Sequence, residues 1–498
     1  MKLYVGYDRF MESIHLPILV VILHLINLFC LVILIRSGIQ ILFDHPKLYW
    51  TDNTTDDNYW LRFGKKIMPK DKLWTSLDEA EDPGKVALPG GTHNLGAGRH
   101  WHFTTGIIWV VTGLIYLGYL FFSGQWQRLV PTDIGVFSRA IDTMFQYLTL
   151  NIPAEGATYN ALQQLTYAGV VFILAPVSII SGLALSPALV AKYPGYLKIF
   201  GNRRQVARSV HFLAMAGFSL FILIHITMAI GFHFYDSVKR ITLGNTNVNF
   251  GLALTIFLMA LILLVAFNIW ASVFTLNDQV KLRSILTKFY TPVVRFIFGW
   301  MRSEQKYTKK DISPFFRVNG YPPTSAEYKK LKDNNFKDWK LKVDGLVDNK
   351  LELSLKQIKD FKKKNQITKH HCIQGWTAVA EWGGLPMKDI VQMCKPQKNA
   401  KYVVFHSYDI DDQGQPFYSS LRLEDMFDKH TILAYEMNGK DLPIEHGAPI
   451  RLRCETKWGY KMAKYIRSIE FVESFEHIGK GRGGHREDNV FFDWEASI

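Results

Sequence analysis

Cysteine is scarce in this chain of 498 residues: Cys30, Cys372, Cys394 and Cys454 are all there are, and no two stand at CxxC spacing. Four scattered thiols exclude a disulfide framework. The polar half has no Rossmann dinucleotide fingerprint, which needs its GxGxxG between a strand and a helix. The run Gly479-Lys-Gly-Arg-Gly-Gly484 lacks the GK[ST] ending and the preceding strand of a phosphate loop, so it is expected to be a flexible tail loop. No small-residue cleavage site or twin-arginine motif stands before the first apolar run. Acidic residues are in deficit, 44 against 58 Lys and Arg, for a formal net charge of +14. The excess lies beside apolar runs rather than on a nucleic-acid-binding module. It therefore reads as membrane orientation and contact with an anionic lipid bilayer, with no nucleic acid partner.

The mean hydropathy of +0.02 averages two unlike halves. Residues 1–275 carry five segments of about 20 mostly apolar residues, enough to cross a bilayer: roughly 16–35, 101–122, 165–185, 212–234 and 250–274. Residues 276–312 are basic and aromatic, including Trp300, and read as an amphipathic interfacial connection. Residues 313–475 alternate short β-type runs with polar helices, among them a charged helix over Leu355–Lys364, and residues 476–498 form a C-terminal tail. The fold class is thus multi-domain: an all-α transmembrane four-helix bundle plus a fifth span, then an α+β domain. A tether to the soluble half is the simplest role for the fifth span.

Ionisable groups inside spans are costly and mark function. His211 and His225 stand 14 residues apart on the fourth span, roughly 21 Å along one helix face. That is room for two stacked haems, each needing a second imidazole from another helix. Antiparallel threading pairs His102 with His211 and His24 with His225. His15 and His100 fall on the wrong helix faces, and His233 is about 80° off the face of His225. At this point the residues His24-Leu-Ile-Asn27, Arg99-His-Trp-His102-Phe, Ser181-Gly-Leu-Ala-Leu-Ser-Pro187 and Arg208-Ser-Val-His211 resemble the dihaem cytochrome b561-type subunits of bacterial thiosulfate reductase, formate dehydrogenase and nickel hydrogenase. The resemblance covers about residues 10–235. It implies two b-type haems and electron exchange with the quinone pool.

Lys and Arg are unevenly shared between the two sides of the membrane. Lys65, Lys66, Lys192, Lys198, Arg203, Arg204, Arg208, Lys281 and Arg283 gather with the soluble half. The opposite side has only Lys2, Arg9, Arg128, Arg139, Lys239 and Arg240. The positive-inside rule places the soluble half in the cytoplasm of a bacterial-type cell membrane.

In that half, five ordered blocks resemble the sulfite-oxidase-fold molybdopterin oxidoreductases, nearest the sulfoxide-reductase-like branch. They are Phe316-Arg-Val-Asn319-Gly, Cys372-Ile-Gln-Gly-Trp376, Leu433-Ala-Tyr-Glu-Met-Asn-Gly439, His446-Gly-Ala-Pro-Ile-Arg451 and Gly459-Tyr-Lys-Met-Ala-Lys464. The resemblance implies Cys372 as a thiolate on molybdenum. It implies Asn319, Ser407, His446, Arg451, Met462, Ala463 and Lys464 as the residues that hold the pterin and its phosphate. His446 and Ser407 stand where this branch usually has Asn and Thr. Sulfite oxidases carry arginines just after the cysteine, whereas here there is Ile-Gln-Gly-Trp. His370 and His371 either line the pocket or support it from behind. Together these features lead to a membrane molybdoenzyme that couples quinol, through two b haems, to oxygen-atom transfer on a sulfoxide-like or other small oxo substrate. The alternatives are sulfite oxidase-type activity, or an electron-transfer cytochrome carrying a non-catalytic docking module.

Overall fold

The computed structural model describes residues 16–151, 159–298, 306–411 and 414–496. His15 and Trp300 lie outside them. A backbone in lipid must satisfy its own hydrogen bonds, so the apolar runs become helices. Five are long and apolar enough to cross a membrane: α1 (Ile18–Asp44), α2 (Leu95–Phe122), α3 (Ala161–Ala184), α4 (Arg204–Gly231) and α5 (Phe250–Asn277). α3 widens to a π-helical stretch at Val170–Leu174, just before Pro176, where the missing N–H already breaks the ladder. α5 turns Leu261, Ile262, Leu263 and Ile269 outward, an apolar face that a bilayer would cover.

The fifth span is more than a tether. Arg36 of α1 donates to the Asn268 Oδ1 and Ser272 Oγ of α5, both at 2.8 Å, and Trp101 of α2 donates to Thr275 Oγ1 at 2.9 Å. The chain then runs into the amphipathic α6 (Gln279–Phe298), which buries Leu282, Leu286 and Tyr290. The Tyr290 hydroxyl lies 2.9 Å from His100 Nδ1, giving His100 a role at this interface.

The soluble half is two sheets around one core. β1 (Lys340–Gly345) alternates buried Leu341 and Val343 with exposed Lys340 and Lys342, the period of a half-buried strand. It sits in the order β2-β1-β10-β5-β6, with β2 (Leu351–Ser354), β5 (Tyr402–Ile410), β6 (Pro416–Arg422) and β10 (Ile466–Val472). β1 and β10 pair in parallel and the other neighbours antiparallel. The second sheet runs β8-β7-β4-β3, from β3 (Lys364–His371), β4 (Thr377–Pro386), β7 (Ile432–Met437) and β8 (Lys440–Asp441); β9 (Arg451–Arg453) pairs with β7. Trp339, Val343, Phe405, Leu433, Ile450 and Phe471 fill the space between the sheets.

Two expectations are corrected. The charged helix covers only Leu355–Asp360, because Lys364 already pairs with Gly384 as the first residue of β3. Residues 479–484 are not a flexible loop. Ser420 donates to the Gly483 carbonyl from its N–H at 2.9 Å and its hydroxyl at 2.5 Å, and the backbone N–H groups of Lys480 and Arg482 donate to the Asp488 carboxylate.

The loop between α1 and α2 locks onto the soluble domain through Arg317. This buried guanidinium donates to Glu79 at 3.1 Å, to Thr54 Oγ1 at 2.6 Å and to the Tyr49 hydroxyl at 3.0 Å. Burial pushes the Glu79 carboxyl up, but the His45 hydrogen bond and the charges of Arg317 and Lys47 outweigh it and hold its pKa at about 2. This contribution is present above the unfolded carboxyl's usual value and is lost only as pH falls toward 2. Removing one partner of a buried pair strands the other. Arg317→Met is therefore expected to destabilise this junction by roughly 3–5 kcal/mol, seen as earlier thermal unfolding and faster proteolysis of residues 46–94 in detergent-solubilised protein.

Candidate active site and haem ligands

Strand β3 ends at His371, and the chain then turns sharply. The Cys372 N–H donates to the Trp376 carbonyl and the Gly375 N–H to the Cys372 carbonyl, both at 3.1 Å. Gly375 adopts φ +105°, and a Cβ there would stand 3.3 Å from Arg208 Nε. Backbone conformation and close approach both call for glycine. The turn presents Cys372 Sγ, 3.5 Å from Gln374 Oε1 and 4.0 Å from Asn319 Nδ2. Burial pushes the thiol's pKa up to about 12, so a thiolate here needs a metal ion to displace the proton.

Cys372 opens on a cavity between the two halves. Of the eight residues expected around the metal and pterin, Cys372, Asn319, His446, Arg451, Met462 and Lys464 line it. Ser407 and Ala463 do not. Ala463 packs into the core between the sheets, while Ser407 Oγ is buried on β5 without a hydrogen-bond partner among the described residues. His370 is on the cavity wall, its Nδ1 accepting from Arg453 Nη1 at 3.0 Å, whereas His371 lies behind it, its ring edge-on to Trp458. A side chain at Gly459 would collide with the His370 ring.

The cavity suits an anionic ligand. Arg451 Nη1 donates to the His446 carbonyl at 2.9 Å, but its buried Nε has no partner among the described residues. Lys464 Nζ reaches the Glu445 carbonyl at 3.0 Å. Burial, then repulsion from Arg451, brings the Lys464 pKa down to about 7. Burial, then Arg453, brings Arg451 to about 9. Such crowded cations gain from a phosphate. Among the described residues no group of three or more His, Cys, Asp or Glu side chains could hold a bare metal ion. A metal beside Cys372 would therefore bring most of its ligands with it, as a pterin dithiolene does.

No sequence pattern marks the walls contributed from elsewhere. Asp44, Leu77, His93 and Leu95 come from the membrane half and its long loop. Arg486, Val490 and Phe492 come from the tail. The packing of the tail is what brings Arg486 in.

In the membrane half the expected histidines meet in pairs. The His102 and His211 ring centres are 6.2 Å apart, and those of His24 and His225 are 6.3 Å apart. Two metal–imidazole bonds of about 2 Å, plus about 1.1 Å from each ring nitrogen to its centre, call for roughly 6 Å in a bis-imidazole site. His102 Nδ1 lies 3.0 Å from Ser37 Oγ, and His211 Nδ1 lies 3.0 Å from the Ser178 carbonyl, so each ring is oriented through its Nδ1. A Cβ at Gly182 would stand 3.1 Å from the His211 ring. His225 stacks on Phe221 at 5.3 Å.

Two family models match. Residues 15–244 match prokaryotic cytochrome b561, and residues 328–477 match the oxidoreductase molybdopterin binding domain. A putative protein-methionine-sulfoxide reductase subunit YedZ1 of Azospira oryzae is 30% identical over 206 residues, 41% of this chain and 72% of that protein. The chain belongs to the prokaryotic cytochrome b561 family. Its cytochrome module is joined to a molybdopterin oxidoreductase domain, so it is a membrane oxidoreductase of haem and molybdopterin. The protein-methionine-sulfoxide reductase catalytic subunits MsrP of Campylobacter jejuni and Xanthomonas campestris are 31% and 32% identical over 28% and 35% of this chain. The chain spans about half the length of these two relatives, 50% and 58%.

The two modules meet at the Cys372 turn. Arg204 Nη1 and Gln205 Nε2, in the first turn of α4, donate to the Gly375 carbonyl at 3.1 and 3.0 Å. His211 follows on the same cytochrome helix about 10 Å further along. Gly375→Ala forces the strained backbone and crowds Arg208. It is expected to cost about 1–3 kcal/mol, read as a lower Tm of the soluble domain by circular dichroism.

Proposed function

We propose that this chain reduces a sulfoxide, methionine sulfoxide being the favoured class, with electrons from quinol carried by two b haems. The overall reaction balances: one quinol and one sulfoxide give one quinone, one thioether and one water. The two quinol electrons reduce the sulfur, and the two quinol protons leave with its oxygen as water. The observation that carries this reading is the docking of the Cys372 turn on the first turn of the helix that bears His211 and His225. It makes one rigid element of the electron path and the catalytic thiol.

When bound, the molybdenum–pterin supplies two-electron oxygen-atom transfer, and the haems supply one-electron steps. The protein's part is placement. His102 with His211 and His24 with His225 hold the two irons. Cys372 is the thiolate on molybdenum, and Asn319 and Gln374 orient it. Arg451, Lys464 and His446 hold the pterin and its phosphate, with Met462 packed beside them. The names of the MsrP relatives favour a sulfoxide. The absence of arginine in Ile373-Gln-Gly-Trp376 also speaks against a sulfite oxidase. The charge bias puts the soluble half in the cytoplasm; a green fluorescent protein fused after Ile498 then fluoresces, and an alkaline phosphatase fused there is inactive.

Metal analysis tests the molybdenum site. Wild type is expected to carry about one molybdenum per chain, and Cys372→Ser little, with the haem spectrum unchanged; a molybdenum-free wild type with intact haems sinks the reading. His211→Ala and His225→Ala are each expected to remove about half of the haem by pyridine haemochrome assay. Full haem content in both variants refutes the ligand assignment.

A further inference from the structure

The C-terminal strap brings a cation into the cavity that the roles above leave unused. The strap is fixed at both ends. On the soluble side Asp488 accepts the Tyr418 hydroxyl at 2.6 Å and His485 Nε2 lies 2.9 Å from Asp411, while the Lys480 and Arg482 N–H groups close the strap on Asp488 at 2.9 and 3.1 Å. Glu487 is ion-paired with Lys461, and both are buried. On the membrane side the Phe491 carbonyl meets His100 Nε2 at 3.3 Å, and Asp493 accepts the Tyr290 hydroxyl at 2.7 Å. A segment tied down on both sides has little freedom in where it aims the side chains between.

Arg486 lies between His485 and Glu487, both tied to the soluble domain, and lines the same cavity as Cys372. Its neighbours are engaged, His485 with Asp411 and Glu487 with Lys461. The Arg486 guanidinium makes no hydrogen bond or ion pair among the described residues and only rests over Phe417, at 5.7 Å. Burial pushes its pKa down, while Asp409, Asp44 and Cys372 pull it up. The other cavity cations have roles already: Arg317 pairs with Glu79, and Arg451 and Lys464, beside the His446 and Glu445 carbonyls, are assigned to the pterin phosphate. The turn after Cys372 supplies no cation at all. Yet the oxygen of a sulfoxide is the negative end of a strongly polar bond, and in a water-poor site it needs fixed donors.

We propose that Arg486, delivered by the C-terminal strap, binds the substrate's sulfoxide oxygen beside Cys372. This rests on the sulfoxide reading above. Arg486 lies beyond residue 477, where the molybdopterin-domain match ends, so the donor belongs to the strap rather than to the matched domain.

The test uses the full-length, molybdenum-loaded protein with its haems chemically reduced. Their reoxidation by dimethyl sulfoxide or free methionine sulfoxide gives kcat and KM. Losing a charged hydrogen bond is expected to raise KM in Arg486→Gln on the order of 10- to 100-fold, with a smaller change in kcat. Molybdenum content and haem spectrum should match wild type, and Arg486→Lys should recover part of the loss. An unchanged KM overturns the proposal. So does loss of molybdenum in parallel with activity, which would assign Arg486 to the pterin instead. If wild type reduces neither sulfoxide, the functional reading fails, and the Mo(V) electron paramagnetic resonance signal decides Arg486 separately with phosphate as the probe. A signal that phosphate shifts in wild type but not in Arg486→Gln places the cation at the substrate side of the metal; an equal response in both overturns it.

Discussion

One backbone carbonyl organises this molecule. The oxygen of Gly375 accepts from both Arg204 and Gln205, so the turn that presents Cys372 is capped by the cytochrome helix itself. Donors at the mouth of a helix, in a site shielded from water, make strong and directional bonds. Gly375 permits the arrangement twice over, by its positive φ and by leaving room for Arg208. Arg208 in turn donates to the His45 and Lys47 carbonyls at 2.6 and 2.5 Å. That draws the end of α1 and the start of the long loop into the same junction. Cytochrome helix, Cys372 turn and cavity wall are therefore a single packed unit.

The penalty of this arrangement is buried charge. Arg204, Arg208, Arg317 and Arg451 are all buried, where an unpaired cation is strongly destabilising. The structure offsets it in two ways. Arg204, Arg208 and Arg317 direct their donors to carbonyls and to Glu79, and so build the junction. Arg451, Lys464 and Arg486 face the cavity, where a phosphate or a polar oxygen completes them. Cations that only held the domains together would need no such open space.

How much of this is legible in the sequence depends on whether a residue's role leaves a local pattern. The spans are legible because lipid demands long apolar runs. The pairing of His24 with His225 and of His102 with His211 follows from helical spacing and antiparallel threading. Cys372 is visible through its block of neighbours. A block does not tell which way each side chain faces, however. Met462 and Lys464 point to the cavity while Ala463 between them joins the core, the alternation of an extended segment. The strap reads wrongly from sequence because glycine-rich polar stretches usually signal a mobile loop. Here Asp488 holds the Gly479–Gly484 run by bonds that no periodicity reports. Asp44, His93 and Leu95 escape notice for the same reason: they matter through the contact between two domains, and each domain's pattern is complete without the other.

Joining the two modules in one chain changes the kinetics as well as the geometry. Separate subunits must meet through a transient interface, and electron delivery then depends on their concentrations. A tethered partner sees an effective concentration set by the link rather than by expression level. In this chain the link is itself structured where it leaves the membrane, because α5 runs directly into α6 and α6 packs on α2. The strap then crosses back to touch α2 again through His100. Two such crossings leave little room for the domains to rock apart. The separation of His211 and Cys372 is thereby set by the fold rather than by an encounter between subunits.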